Sequence, residues 1–95
     1  MEYFTIKENI GHVVCGRRFD GTVKRICNFG DFQSDAMIFV KACKDGDVDE
    51  DYIEYLIGTY TDRTYVYLRD EKRVISEREH AANIAERERK EKENI

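Results

Sequence analysis

Ninety-five residues carry a formal net charge of -4, with 38 % charged, 41 % hydrophobic and 12 % aromatic side chains. A chain of this length makes one domain with one modest core, and a charged fraction well above the usual ~25 % demands a large solvated surface. No apolar run approaches the ~20 residues of a membrane helix. The opening MEYFTIKENIG has neither the basic nor the apolar region of a signal peptide, so a cytoplasmic protein with no membrane partner is expected.

The excess charge has a location. Residues 69–95 hold eight basic and eight acidic side chains, so residues 1–68, with eight basic against twelve acidic, carry the whole net charge and most of the core. Cys15, Cys27 and Cys43 are odd in number and lack C-x-x-C spacing, which fits neither a disulfide framework nor a zinc ribbon. They read as reduced, buried fillers, with no metal and no cofactor expected.

In chain order, EYFTIK reads as a first strand. HVVCGRRF and TVKRICNF flank Asp20-Gly21, the signal for a two-residue type I′ hairpin. That register sets Phe19 opposite Thr22, Arg18 opposite Val23, Arg17 opposite Lys24, Gly16 opposite Arg25, Cys15 opposite Ile26 and Val14 opposite Cys27. Cys15 and Cys27 then point to opposite faces. Arg17, Arg18, Lys24 and Arg25 gather at the turn end as a positive tip projecting into solvent.

MIFVKAC reads as a strand that ends at the turn chemistry of KDGD. In the segment that follows, residues 45–55 hold six carboxylates and no basic residue. Asp45, Asp47, Asp49 and Asp51 alternate, but a calcium loop starting at Asp45 would need glycine where Glu50 stands and glutamate where Leu56 stands. The segment reads as an acidic connection feeding a strand or short helix. As a surface, Asp47, Asp49, Glu50, Asp51 and Glu54 present closely spaced negative charge that imitates a nucleic-acid backbone or meets a basic patch on a partner.

A second hairpin is expected from YIEYLIGTYT, the turn Asp62-Arg63, and TYVYLR. Pairing Thr61 with Thr64 puts Tyr60, Tyr65, Tyr67 and Gly58 on one face. Thr59, Val66, Ile57 and Leu68 fall on the other, which is the better core face. Ser76 and Glu79 form the capping-box pattern S-x-x-E, so a C-terminal helix starts near residue 77. Its apolar stripe, Ala81, Ile84 and Ala85, is long enough to dock only the first two turns. Glu86 with Lys90 and Glu88 with Lys92 support a solvated remainder. These elements predict an α+β chain: a small antiparallel sheet or open barrel of five to six strands over residues 1–75, then a charged, partly solvated helix over 76–95.

His12 and His80 are the only histidines, and neither belongs to a recognisable acid–base or nucleophile constellation. P-loop, dinucleotide, G-x-S-x-G and H-E-x-x-H patterns are absent from the chain, so no catalytic residue is assigned and a non-enzymatic protein is expected.

Two binding roles remain. The first is an interaction protein that inhibits or regulates a larger protein or ribonucleoprotein target. Asp47, Asp49, Glu50, Asp51 and Glu54 would engage the target, and the basic tip would set orientation. The second is a nucleotide or single-stranded nucleic-acid binder, including a protein that sequesters a nucleotide signal. Arg17, Arg18, Lys24 and Arg25 would hold phosphate, and Tyr60, Tyr65 and Tyr67 would stack bases. An exposed sheet edge would also allow a homodimer about a two-fold axis. Charge at a hairpin tip has a purely structural use as well, since it discourages edge-to-edge aggregation.

V-x-x-G-R-R-F-D-G-T-V-x-x-I, residues 13–26, resembles strand–turn–strand elements of SH3-like small barrels. In size, charge and lack of motifs the chain is similar in character to phage-encoded accessory proteins that inhibit host defence complexes, anti-CRISPR proteins among them. That resemblance implies occupation of a partner's basic nucleic-acid channel by the acidic segment.

Overall fold

The computed structural model describes residues 1–93, with side chains to Glu91. Strands β1 (Glu2–Glu8), β2 (Gly11–Arg17) and β3 (Val23–Asn28) form an antiparallel sheet in that order. Helices α1 (Gln33–Lys44) and α2 (Glu50–Gly58) follow, then a two-stranded sheet of β4 (Tyr65–Leu68) and β5 (Arg73–Ser76), then helix α3 (Glu77–Glu93). The fold is α+β as expected, but it is built from sheets of three and two strands and three helices. A single sheet or barrel of five to six strands does not form.

That hairpin forms with a different loop. The Gly21 N–H donates to the Arg18 carbonyl and the Arg18 N–H to the Thr22 carbonyl, each at 2.9 Å, and Gly21 has φ 87°. The loop is therefore three residues, Phe19, Asp20 and Gly21, a type I turn closed by a glycine in the left-handed region. Arg17 faces Val23, Gly16 faces Lys24 and Cys15 faces Arg25, each one residue away from the two-residue register. A register shift between Val14 and Cys15 leaves Ile26 as an extra residue on β3, and beyond it Val14 faces Cys27 as expected.

MIFVKAC is the C-terminal part of α1, not a strand. Ala36, Phe39, Val40 and Cys43 are buried at the spacing of one helical face, a pattern that emerges only when the preceding QSDA is read with it. The glycine of KDGD serves the helix. Gly46, at φ 76°, donates to the Cys43 carbonyl at 3.3 Å, and Asp47 N–H donates to the Ala42 carbonyl at 2.9 Å. These are the two bonds of a Schellman C-cap.

YIEYLIG is likewise helical. Asp49 is the N-cap of α2, its carboxylate accepting from the Asp51 N–H at 2.7 Å, and Glu50 and Asp51 in the first turn favour the positive end of the helix dipole. With this segment lost to α2, the partner of β4 is β5, in the register Tyr65 with Ser76, Val66 with Ile75, Tyr67 with Val74 and Leu68 with Arg73.

One hydrophobic cluster joins Val14, Ile26 and Cys27 of the first sheet, Phe29, both of the first two helices and Val74 of β5. Phe29 and Phe39 are fully buried with ring centroids 5.4 Å apart, and Tyr67 meets Phe39 edge-on at 5.1 Å. Tyr65 and Tyr67 thus pack against this cluster, while the expected core face is buried outside it, with Val66 and its partner Ile75 buried and Leu68 half-buried. A half-buried tyrosine fits here because its ring packs while its hydroxyl stays at the rim.

Val13 and Cys15 are fully buried yet lie outside this cluster, on the opposite face of β2. That face is closed by Phe4 and Ile6 of β1 and by arginines, with the Arg17 guanidinium 5.3 Å from the Phe4 ring centroid. Asn28 is the one buried polar residue among the described residues. Its Nδ2 donates to the Asp62 carbonyl at 2.9 Å, and its Oδ1 accepts from Gly30 N–H at 2.9 Å, tying the end of β3 to the loop before β4.

Helix α3 begins as expected, with the Ser76 hydroxyl accepting from the Glu79 N–H at 3.1 Å. Its docking is shorter than expected. His80 is half-buried, but Ala81, Ile84 and Ala85 are all exposed, as is every described residue after them. The helix projects from the body, and the molecule measures 57 × 28 × 22 Å. Glu86 pairs with Lys90 at 3.5 Å; the Lys92 side chain, expected to pair with Glu88, lies outside the described residues.

Candidate interaction surface

The basic tip is not a free cluster of cations. Arg17 pairs with Glu2 at 3.4 Å, directly across the β1–β2 ladder. Arg18 reaches Glu54 of α2 at 2.8 Å. Arg25 holds both carboxylate oxygens of Glu8, at 2.6 and 2.7 Å, and its guanidinium carbon lies 6.0 Å from the Tyr60 ring centroid. Of the four tip cations, Lys24 alone makes no ion pair among the described residues. The expectation of a positive tip is corrected by carboxylates brought to it from β1 and α2.

The tyrosines are dispersed rather than forming one platform. Tyr67 and Tyr65 pack on the core, and the Tyr65 hydroxyl lies 3.3 Å from Thr61 Oγ1. Tyr60 sits in the loop after α2, half-buried, with its hydroxyl shut off from solvent and without a hydrogen-bond partner. Burial raises its pKa, and the nearby Arg25 opposes that rise. Arg25 and Tyr60 are the one cation–aromatic pair that the structure brings together from the two expected sets.

The acidic segment has the opposite character. Asp45, Asp47, Asp49, Glu50 and Asp51 are exposed and make no ion pair among the described residues, and only Glu54 is engaged, by Arg18. Asp49 has a structural task as the α2 cap, which the alternating carboxylates concealed. The others leave an unneutralised edge formed by the α1–α2 connection and the first turn of α2. No family model, curated protein or solved structure matches this chain. The surface itself therefore carries the functional reading.

Two concavities adjoin this edge. A groove of about 1050 Å³ between α1, the β4–β5 hairpin and α3 is lined by both signs of charge, including Lys41, Arg69 and Arg87 against Asp45, Asp47 and Asp70, with His80 in its wall. A hollow of about 480 Å³ lies between the hairpin loop and α2, where Phe19 stands fully exposed. Sequence reasoning passed over Phe19. Its signal was an aromatic residue inside a polar turn, where a core residue has no place.

The thiols offer no nucleophile at neutral pH. Burial pushes Cys43 up to about 12 and also raises Cys27 and Cys15, and all three are free and buried. Among the described residues no helix is long and apolar enough to cross a membrane.

Proposed function

We propose that the protein is a small non-enzymatic interaction protein, an inhibitor or regulator whose acidic edge occupies a basic surface on a larger protein or ribonucleoprotein. One observation carries this reading: Asp45, Asp47, Glu50 and Asp51 are exposed and make no ion pair among the described residues, whereas the tip arginines Arg17, Arg18 and Arg25 are held by Glu2, Glu54 and Glu8. Unpaired charge steers association, because paired charge has little residual field beyond its partner. Nucleotide or single-strand binding draws less support, since three of its four cations are engaged and two of its three tyrosines pack on the core.

The test is fluorescence anisotropy with two labelled probes, a 12-residue peptide rich in arginine and leucine and a single-stranded oligonucleotide. The peptide is expected to bind with an affinity that falls with salt, and the triple variant Asp47→Lys, Glu50→Lys, Asp51→Lys to lose at least tenfold. An equal reversal on α3, Glu79→Lys, Glu86→Lys and Glu88→Lys, is expected to change it little. Oligonucleotide binding that disappears on neutralising Arg17, Lys24 and Arg25 would overturn the proposal.

A further inference from the structure

Phe19 is the most exposed large apolar residue among the described residues, and nothing in the hairpin requires it there. The loop that carries it is hydrogen-bonded within itself. Besides the two backbone bonds that close it, the Asp20 carboxylate accepts from the Thr22 N–H at 2.9 Å. The backbone beneath the ring is thus held by hydrogen bonds, and the ring itself stands in solvent.

Behind the ring lies the hollow of about 480 Å³, with Met1, Tyr3 and Ile53 in its lining and Glu50, Asp51 and Glu54 from α2. Its cation, Arg18, is already tied to Glu54 at 2.8 Å, so Glu50 and Asp51 keep their charge. The field is felt inside: after burial, nearby Cys43, Glu50 and Glu54 all raise the Tyr3 phenol. Apolar and aromatic walls under a carboxylate rim suit one kind of side chain, a hydrocarbon stem ending in a cation. A free phosphate or nucleotide meets the wrong sign, and a neutral apolar residue leaves the rim charges without a partner.

We infer that this hollow is a docking site for an arginine or lysine side chain of the partner protein, with Phe19 packing on its stem and Glu50 and Asp51 receiving its head. The site rests on the acidic edge being the partner surface, and it supplies what charge alone does not, a pocket that reads shape. An arginine guanidinium suits it best, because the plane can stack on the exposed Phe19 ring while its edge meets a carboxylate.

The experiment uses the full chain, the arginine–leucine peptide, and the same peptide with citrulline in place of arginine, which keeps the shape and removes the charge. Titrations are followed by NMR at the Met1 methyl, the Ile53 methyl and the Phe19 ring. The arginine peptide is expected to shift all three, with affinity falling fivefold or more for Phe19→Ala and for citrulline. Phe19 touches no core, so the variant keeps its fold, which its own spectrum checks. Shifts confined to Asp45 and Asp47, unchanged by Phe19→Ala, would overturn the hollow and leave the acidic edge standing. Absence of binding by the arginine peptide would overturn both. Phe19 shifts that depend on protein concentration without peptide would show a second copy in the hollow and overturn the partner assignment.

Discussion

The hairpin tip and the α1–α2 connection are the two densest single-sign stretches in the first two-thirds of the chain, and the fold treats them in opposite ways. Three tip arginines find carboxylates on β1 and α2, whereas five carboxylates of the connection and the start of α2 make no ion pair among the described residues. A run of like charge in a sequence is therefore a count of groups, not of available charge. The tip arginines also cover part of the sheet with their stems, so their role is partly structural. The connection's carboxylates cover nothing, Asp49 alone being committed as a cap.

The contrast can be broken at several points. The largest effect should come from alkali, which acts on neither charged region. The Cys43 thiol is raised from 9.0 to about 12 by burial, so the unfolded chain releases its proton first as pH rises. That stabilising contribution is complete below about pH 9 and is lost as pH climbs toward about 12. Denaturant midpoints should fall across this interval, and Cys43→Ala should reduce the dependence, the rest coming from the other buried thiols and tyrosines that burial also raises, even though it lowers stability at neutral pH.

Next in size is Asp49→Ala, expected to cost about 1 kcal/mol (range ~0.5–2) in chemical denaturation, because it removes the α2 cap. Glu50→Ala, one residue on and without a hydrogen-bonding task, should cost less, which would separate the structural carboxylate from the free one. A double-mutant cycle on Arg25 and Glu8 should show coupling of roughly 0.2–1 kcal/mol that shrinks in high salt, since both groups retain solvent contact. Smallest of all, Lys24→Ala should leave stability within about 0.5 kcal/mol of the parent, as expected for a surface residue with no partner. A larger loss would mean the tip contains an interaction beyond its three ion pairs.

Near-neighbour chemistry was the part most open to reading. The β2–β3 hairpin, the start of α3 at the Ser76 cap and the placement of most of the core before residue 69 all follow from turn residues, capping pairs and apolar pattern. The same chemistry misled at two places for a definable reason. KDGD and the β-favouring run MIFVKAC together suggest a strand and turn, yet Gly46 closes a helix equally well, and the buried face of α1 starts at Ala36, outside that run. In YIEYLIGTYT the β-branched and aromatic residues outweighed the Asp49 cap and the acidic first turn. With that helix unrecognised, β5 had no role and β4 received the wrong partner.

By itself the sequence determined that the chain turns back near Asp20-Gly21, where its last helix begins and how much charge each segment holds, because those depend on groups a few residues apart. Only the tertiary structure decided which charges remain free. Arg17 and Glu2 are 15 residues apart, Arg25 and Glu8 are 17, and Arg18 and Glu54 are 36. Coulombic pairing depends on distance in space, and packing α2 and β1 against the hairpin sets that distance. The same packing left Phe19 uncovered beside a carboxylate-rimmed hollow, which no local pattern encodes.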